Sequence, residues 1–264
     1  MKKYNLVFIG CGAICTQIIN YLNSYMADKY DIKMIIDNNV VRATKICEKL
    51  NITPVITNKF DDYFDLTNID IVVESASVNS VQNHAMDILK KSDLLIASVG
   101  ALSDEKFYSD LLAESDKHNT NLIIPNGAIG GLDAISAVKD SISFIKITTT
   151  KSPESLKGAK GFKKYENYNF NASKTIFEGS AKNAIDLFPK NLNVAVTLSL
   201  YGIGTEKTNV KLVVDPAIKT NMHTIYLEGD FGVMNFDFSL NQSPTNPKTS
   251  SLASLSIIKS LKDY

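Results

Sequence analysis

The segment GCGAIC at residues 10–15 is the feature that most constrains how this chain can fold. It follows the apolar run YNLVFI and opens a helical pattern, which is where the glycine-rich turn of a dinucleotide-binding βαβ unit lies. In such a turn the first glycine makes the bend, the second admits a pyrophosphate, and the third lets helix and strand pack closely. Cys15 holds the third position, so the fingerprint is incomplete. The residues that we assign to cofactor binding from this motif are Gly10, Gly12, Ala13 and Ile14.

An acidic residue at the end of the second predicted strand supports this assignment. Asp37 lies about 25 residues beyond the motif, where a carboxylate can accept hydrogen bonds from the adenosine ribose. The next residues, Asn38 and Asn39, are uncharged, which favours NAD over NADP as the cofactor. Arg42 is close enough in sequence to reach a 2′-phosphate, so NADP stays open. The alternative is a structural glycine turn followed by a helix-capping aspartate.

The first half of the chain alternates short apolar runs with helical patterns. The apolar runs predict strands at residues 4–9, 32–36, 54–57, 69–73, 94–98 and 121–124. The patterns between them predict helices at residues 13–26, 40–50, 78–91 and 105–118. This alternation is typical of βαβ units, so we expect an α/β fold with a doubly wound parallel sheet of the Rossmann type.

Small and polar residues follow each of these predicted strands. Open α/β sheets bind ligands at the carboxyl ends of their strands, and we therefore assign Ala76 and Ser77 to the cofactor as well. Ordinary strand-to-helix loops favour the same residue types, and that interpretation also stays open.

The second half, beyond residue 125, is richer in glycine and proline and has a different pattern. Strands are predicted at residues 145–151, 194–200, 210–214, 223–228 and 233–240, and helices at 132–141 and 180–188. Apolar spacing after Thr249 and Ser250 predicts a final helix. We expect a dinucleotide-binding domain at 1–125, an α+β substrate and dimerisation domain at 126–242, and a C-terminal helix at 243–264 that returns to the first domain.

Composition and charge argue against several classes of protein. Lys+Arg and Asp+Glu both number 28, so the chain has no net charge with which to attract nucleic acid. No stretch reaches the roughly 18 apolar residues of a membrane span, and the N-terminal run is expected to be a strand rather than a signal peptide. The three cysteines suit neither a disulfide framework nor a zinc site, so we expect no metal and a cytoplasmic location. Arg42 is the one arginine, which leaves anion binding elsewhere to lysines, backbone amides and helix N-termini.

Several segments carry a family signal, and those in the second half are more specific than the glycine motif. They are NGAIGGLDAI (126–135), FEGSAKNAIDLFPKNLNVAVTLSL (177–200), NMHTI (221–225), GDFG (229–232) and NPKTSSLASLS (246–256), with GCGAIC (10–15) and VESAS (73–77) in the first half. Together they resemble the L-aspartate dehydrogenase family over nearly the whole chain. The resemblance implies oxidation of L-aspartate to iminoaspartate with NAD or NADP. The imine then hydrolyses to oxaloacetate and ammonia, or feeds NAD biosynthesis.

The resemblance also implies roles for three residues. The catalytic histidine of the family's NxHE-like motif corresponds to His223. Ala128 in GAIGG and Asn193 in PKNLN correspond to positions that contact the cofactor. Thr224 stands where the family usually has glutamate, which leaves open what orients the imidazole, and Asn126 stands where serine is frequent.

The implied chemistry needs a group that takes a proton from the substrate ammonium, and histidine suits this step because its unperturbed pKa is about 6.5. His84 lies in a predicted helix and is interpreted as structural, and His118 lies at a helix end and is interpreted as solvated. His223 is therefore the catalytic candidate. The candidate cations for the substrate carboxylates, none of which we place in the catalytic set, are Lys151, Lys190 and Lys248.

Other functions stay open at this point. A related two-domain dehydrogenase, of the homoserine dehydrogenase or dihydrodipicolinate reductase kind, would share the first domain. A non-catalytic NAD(H)-binding regulator is motivated by Cys15 and Thr224. We expect a homodimer, because the alternating sheet of the second half needs its other face covered. The aromatic residues at 162–170 are expected to form an exposed hairpin or loop.

Overall fold

The computed structural model describes residues 3–65, 68–189, 191–243 and 246–264. These residues form two compact units. The first contains the described residues of Met1–Ala101, Lys106–Pro125 and Ser254–Tyr264, and the second those of Leu102–Glu105 and Asn126–Ala253. The end of the chain therefore belongs to the first unit.

A parallel sheet forms the centre of the first unit. Its strands are β1 (Tyr4–Ile9), β2 (Tyr30–Ile36), β3 (Val55–Thr57), β4 (Ile71–Glu74), β5 (Asp93–Ile96) and β6 (Leu122–Ile123). They lie in the order β3-β2-β1-β4-β5-β6, and each neighbouring pair is parallel. The order reverses at β1 and β4, which is where open α/β sheets bind ligands. The predicted doubly wound Rossmann sheet is confirmed.

The helices of this unit begin and end at local sequence signals. They are α1 (Ala13–Tyr25), α2 (Val40–Leu50), α3 (Val78–Leu89) and α4 (Glu105–His118). The Asn39 side chain accepts the Arg42 N–H and caps α2, and the Ser77 hydroxyl accepts the Ser80 N–H and caps α3. Asn51 ends α2 in the left-handed conformation, at φ 54°.

The last helix, α9 (Ser251–Asp263), adds an apolar face to the core of the first unit. Ile257, Ile258 and Leu261 join the same buried cluster as the side chains of β1 and α1. The Tyr30 hydroxyl donates to the carbonyl of Leu261 at 2.6 Å. The C-terminal residues therefore complete this core, although they are the farthest from it in sequence.

A sheet of mixed direction forms the second unit. Its strands are β7 (Ile142–Lys151), β8 (Lys174–Ser180), β9 (Asn209–Val214), β10 (Thr220–Gly229), β11 (Gly232–Ser243) and β12 (Asn246–Ser250). They lie in the order β12-β11-β10-β7-β9-β8, with β7 and β9 parallel and the other neighbours antiparallel. The helices of this unit are α5 (Leu132–Ala137), α6 (Pro153–Leu156), α7 (Ala181–Leu187) and α8 (Asn193–Tyr201). No helix within the described ranges is long and apolar enough to cross a membrane.

The central strands of the second sheet have one buried face and one partly exposed face. Side chains alternate between the two faces, as the pleat of a strand requires. The buried positions of β7 and β10 are Ile145, Ile147, Thr149, Lys151, Asn221, His223, Ile225 and Leu227. The other face exposes apolar groups too, including Met222, which is 37% exposed, and Val233, which is 57% exposed.

One predicted strand is wrong. Residues 194–200 form most of helix α8, and Val194–Ser199 are buried around the whole circumference of the helix. A short apolar run that is buried on every side shows neither the alternation of a strand nor the stripe of an amphipathic helix. Because Val194, Val196 and Thr197 are β-branched, they favoured the strand.

The aromatic segment at 162–170 also differs from the prediction. Residues Lys160–Tyr165 form a short 3-10 helix, and the buried rings of Phe162 and Phe170 stack with their centroids 6.1 Å apart. The segment therefore packs a small aromatic core, and Tyr168 remains exposed at its edge. The strand that follows, β8, was not predicted, because KTIFEGS has no long apolar run.

Candidate active site

Two glycines shape the loop between β1 and α1. Gly10 has a φ of +87°, and a Cβ added to it would lie 2.7 Å from the Cα of Ala76. Glycine is required there, because the backbone is left-handed and the neighbouring chain is too close for a side chain. Gly12 is the N-cap residue of α1, no side chain caps this helix, and a Cβ on Gly12 would meet no atom within 4 Å. The open space and the N–H groups at the start of α1 suit a phosphate group.

Cys15 takes the place of the third glycine and is fully buried. A hydrogen bond between the thiols of Cys11 and Cys15 lowers the pKa of Cys11, whereas burial raises the pKa of Cys15 well above its usual value. Both cysteines lie in the apolar core of the first unit. A cysteine therefore packs between helix and strand at this position, and α1 still begins directly after Gly12.

The carboxylate of Asp37 ties the glycine loop to the end of β2. It accepts the N–H of Cys11 at 2.5 Å and that of Asn39 at 2.7 Å. The Arg42 guanidinium donates to both carboxylate oxygens, at 2.8 and 3.0 Å. Burial alone would raise the pKa of Asp37, but these hydrogen bonds outweigh it and hold the pKa below its usual value. The carboxylate is therefore ionised, and both of its oxygens accept hydrogen bonds.

Glu74, the last residue of β4, organises the loops that follow β4 and β5. Its Oε1 accepts the N–H groups of Ala76 and Ser77, each at 2.8 Å. The N–H of Ser98 donates to Oε2 and the Ser98 hydroxyl to Oε1, both at 3.0 Å. Burial raises the pKa of Glu74, and these bonds oppose the rise. Sequence reasoning counted Glu74 among the polar residues that follow the predicted strands but gave it no individual role; the available signal was an acidic residue that ends the apolar strand IVVE.

The remaining cofactor candidates of the first unit lie on the same strand ends. The Ser77 hydroxyl is committed to capping α3. Ala13 and Ile14 begin α1, and Ile14 packs partly against the core. The structure thus brings the following predicted residues to the ends of β1, β2 and β4: Gly10, Gly12, Asp37, Ala76 and Ser77.

His223 lies inside β10, at the fourth residue of a strand that starts three residues earlier than predicted. The side chain is 3% exposed. His223 pairs with Thr149 of β7, and the Thr149 Oγ1 lies 3.0 Å from the imidazole Nδ1. This hydrogen bond fixes the orientation of the ring, so Nε2 is the nitrogen that can meet a substrate.

A buried lysine accompanies the imidazole. Lys151 is the last residue of β7, lies two positions beyond Thr149 on the same face, and is 3% exposed. Burial lowers the pKa of Lys151 to about 8. Burial, and in second place the charge of Lys151, lowers the pKa of His223 to about 3. At neutral pH a neutral imidazole thus lies near a buried positive charge, which suits an anionic substrate that must lose a proton.

Thr224 does not share this site. Its hydroxyl donates to the Asp237 Oδ1 at 2.7 Å on the partly exposed face of the sheet. Because neighbouring side chains of a strand point to opposite faces, a glutamate at this position would also point away from His223. The departure from the family motif therefore removes no carboxylate from the surroundings of the ring. Thr149, on the adjacent strand, orients the imidazole instead.

The other candidates of the second half are found in separate elements. Ala128 is buried in the loop before α5. Asn193 is the first residue of α8, and its carbonyl accepts the Thr197 hydroxyl at 3.2 Å. Lys190 and the side chain of Lys248 lie outside the described residues.

The other two histidines belong to the first unit and have local contacts. His84 stacks on Phe60 with ring centroids 3.9 Å apart, and burial lowers its pKa. His118 Nε2 lies 3.2 Å from a carboxylate oxygen of Glu114, one turn earlier in α4. His223 thus differs from both in being buried beside a polar strand neighbour.

Models of known protein families match both halves of the chain. Residues 133–264 match the family described as aspartate dehydrogenase, C-terminal, and residues 10–125 match the one described as homoserine dehydrogenase, NAD binding domain. The match of the second half distinguishes this chain from homoserine dehydrogenases, which the first half alone does not.

Relatives of matched length agree with the family models. An L-aspartate dehydrogenase of Nitrosopumilus maritimus is 41% identical over 270 residues, which cover 100% of this chain and 97% of that protein. One of Methanosarcina mazei is 38% identical over 96% of this chain and 94% of that protein. The crystal structure of aspartate dehydrogenase from Thermotoga maritima matches with a TM-score of 0.77 at 27% identity, covering 99% and 97% of the two chains. On these matches the chain belongs to the L-aspartate dehydrogenase family of NAD(P)-dependent oxidoreductases.

Proposed function

We propose that this chain oxidises L-aspartate to iminoaspartate with NAD or NADP as the hydride acceptor. The imine then hydrolyses to oxaloacetate and ammonia, or is consumed in NAD biosynthesis. The observation that carries the proposal is the buried imidazole of His223, held by Thr149 and close to the charge of Lys151. It occurs in a chain whose full-length relatives are named L-aspartate dehydrogenases. The reaction is reversible, so the same groups serve reductive amination.

The first unit is proposed to hold the cofactor. Gly12 and the start of α1 receive the pyrophosphate, Gly10 makes the turn, and Asp37 accepts hydrogen bonds from the adenosine ribose. The other proposed cofactor residues are Ala13, Ile14, Ala76, Ser77, Ala128 and Asn193. When bound, the nicotinamide ring accepts a hydride from the substrate Cα.

His223 is proposed as the proton acceptor. The substrate ammonium gives one proton to Nε2, and the freed nitrogen lone pair forms the C=N bond as the hydride leaves Cα. Thr149 keeps the ring in place through Nδ1 while this happens. The carboxylates of the substrate offset the charge of Lys151, so substrate binding raises the pKa of His223 towards the range of a useful base. In the reverse reaction the imidazolium returns the proton.

A non-catalytic NAD(H)-binding regulator is the competing hypothesis. Its support from Thr224 is lost, because the Thr224 side chain lies on the opposite face from His223. Cofactor binding without turnover of L-aspartate would favour the regulator.

We also propose a cytoplasmic homodimer. The three cysteines are free thiols, as in a reducing compartment. The partly exposed face of the second sheet carries Met222, Val233 and a Phe144–Tyr226 ring pair with centroids 6.1 Å apart, and a second copy would cover these groups. Sedimentation velocity measures the mass directly, and a monomer at micromolar concentration would contradict the dimer.

Replacing His223 tests the proton step. In His223→Asn, kcat for NAD reduction by L-aspartate is expected to fall by about 10²–10⁴-fold, because no other group takes the ammonium proton. NADH affinity, measured by fluorescence titration, stays within about twofold, since cofactor contacts are intact. His118→Asn is the matched control and keeps wild-type kcat. A His223→Asn enzyme that kept more than about a tenth of the wild-type kcat would contradict the role.

Stability at low pH tests the buried neutral state of His223. Its folded pKa of about 3 lies below the unfolded value of about 6.5, so the unfolded chain takes up the proton first. The neutral ring therefore makes its full contribution to the free energy of unfolding above about pH 6.5, and this contribution is lost as the pH falls towards about 3. Between about pH 7 and pH 4.5 the wild type should lose about 2–3 kcal/mol more than His223→Asn in urea unfolding. Equal losses would mean that the imidazole is protonated or solvated in the folded protein.

Replacing Asp37 tests the cofactor preference. The ionised carboxylate repels a 2′-phosphate and holds Arg42, so Asp37→Ser should free the guanidinium to bind that phosphate. Both cofactors lose some affinity, because the Cys11 N–H loses its acceptor; the informative quantity is the ratio of the two dissociation constants. We expect this ratio to shift towards NADP by about tenfold or more. The control Asp37→Ser with Arg42→Ala should cancel the shift, and an unchanged ratio in Asp37→Ser would refute the assignment.

A further inference from the structure

The buried face of β7 and β10 divides into an apolar half and a polar half. Along β7 the buried positions run from apolar to polar, as Ile145, Ile147, Thr149 and Lys151. Along β10 they run from polar to apolar, as Asn221, His223, Ile225 and Leu227. Since the two strands are antiparallel, all four polar side chains gather at the same end of the face. A polar cluster in the core of a sheet calls for a ligand or a complete network of hydrogen bonds.

The strand register sets Lys151 opposite Asn221. Thr150 of β7 pairs with Met222 of β10, and one further step along the antiparallel ladder brings Lys151 and Asn221 to opposed positions. Side chains at opposed positions have Cβ atoms about 4.5–5.5 Å apart. The two side chains therefore lie next to each other on the face that also carries His223.

Asn221 has unmet hydrogen-bonding capacity. The residue is 1% exposed, and neither its Nδ2 nor its Oδ1 has a hydrogen-bond partner among the described residues. Buried amide groups are nearly always hydrogen-bonded, because an unmade bond costs the full desolvation of the group. The free donor and acceptor of Asn221 therefore indicate a polar ligand at this position.

Lys151 supplies the charge that defines the class of ligand. Burying an ammonium group is unfavourable, and this cost is what lowers the pKa of Lys151 to about 8. An anion within hydrogen-bonding distance would restore the charged form. The second unit contains no arginine, so a bidentate guanidinium is not available for this purpose.

We infer that Lys151 and Asn221 together bind one carboxylate of the substrate beside His223. The inference rests on the proposed function and adds to it the groups that hold the dicarboxylate. The Lys151 ammonium and the Asn221 Nδ2 each donate to a carboxylate oxygen, and the Asn221 Oδ1 accepts from the substrate ammonium. The ligands of this site are small amino or oxo dicarboxylic acids, in which the carbon next to the carboxylate lies within reach of the imidazole.

Two variants of similar volume test the inference. Lys151→Met removes the charge and Asn221→Leu removes both amide atoms, and Lys139→Met, at an exposed lysine just before β7, is the matched control. Three quantities are measured: kcat and KM for L-aspartate, the Kd of NADH, and the Kd of succinate for the enzyme–NADH complex. Succinate is used because it carries two carboxylates and no reacting amine. Urea midpoints at neutral pH verify folding, and that of Lys151→Met is expected to equal or exceed the wild type, because a buried charge has been removed.

The expected result is a loss of carboxylate binding alone. KM and the succinate Kd rise about 30-fold or more in Lys151→Met and about 5–10-fold in Asn221→Leu, while the NADH Kd stays within about twofold. Lys151→Arg recovers part of the succinate affinity, which a merely structural lysine would not produce. The control keeps wild-type values throughout.

Failure of the inference and failure of the proposed function give different results. If the wild type oxidises L-aspartate and both variants keep KM and succinate Kd within about twofold, the inference is overturned while the function stands. If the wild type does not oxidise L-aspartate but binds succinate, and Lys151→Met loses that binding, the carboxylate site stands without the function. Should Lys151→Met fail to fold, Asn221→Leu carries the test by the same criteria.

Discussion

The register between β7 and β10 is the constraint on which the candidate site depends. It pairs His223 with Thr149 and thereby places the imidazole beside the hydroxyl that orients it. A slip of one residue would turn His223 to the partly exposed face, because side chains alternate along a strand. The apolar half of the same face resists such a slip. Ile147 and Ile225, for example, are paired and completely buried, and would be moved out of the core together with the site.

Burying the polar half of this face is unfavourable for folding. The same burial gives its side chains the protonation states that the proposed reaction requires. An ammonium group and an imidazole that share a buried region disfavour each other's charged forms. Burial, and in second place the charge of Lys151, keeps His223 neutral and able to accept a proton, whereas burial lowers the pKa of Lys151, which a bound anion would raise again. A dicarboxylate that binds there relieves both costs together. The buried ammonium and the unsatisfied amide of Asn221 are therefore costly in the free protein, and a ligand of the proposed class would offset that cost.

Local sequence signals were sufficient for the first unit but not for the second. The parallel sheet and its helices were predicted closely, because apolar strands, caps such as Asn39 and the glycine motif are all encoded within a few residues. Helix α8 was predicted as a strand, because a segment buried on all sides has no periodicity to identify it. His223 was found through a family motif, and its role stays a prediction. Thr149 could not be found in this way, because it becomes a neighbour of the ring only through strand pairing. Asn221 lies in the same family motif, but its position on the face of His223 follows only from strand alternation.

Two carboxylates in the first unit illustrate how similar side chains hold the loops of the proposed nucleotide site in different ways. Asp37 is ionised by its hydrogen bonds and by Arg42, and it holds the glycine loop while keeping a negative charge at the place that we propose for the adenosine ribose. Glu74 is buried more deeply, burial raises its pKa, and its oxygens are occupied by N–H groups of the loops after β4 and β5. Because these loops are fixed by side-chain acceptors before any ligand arrives, little conformational entropy is lost when a cofactor binds. Cys15 is tolerated in place of glycine because the loop does not depend on that position for its shape. The shape of the loop depends on Gly10, Asp37 and Glu74, whereas the third position of the motif only has to pack in the core.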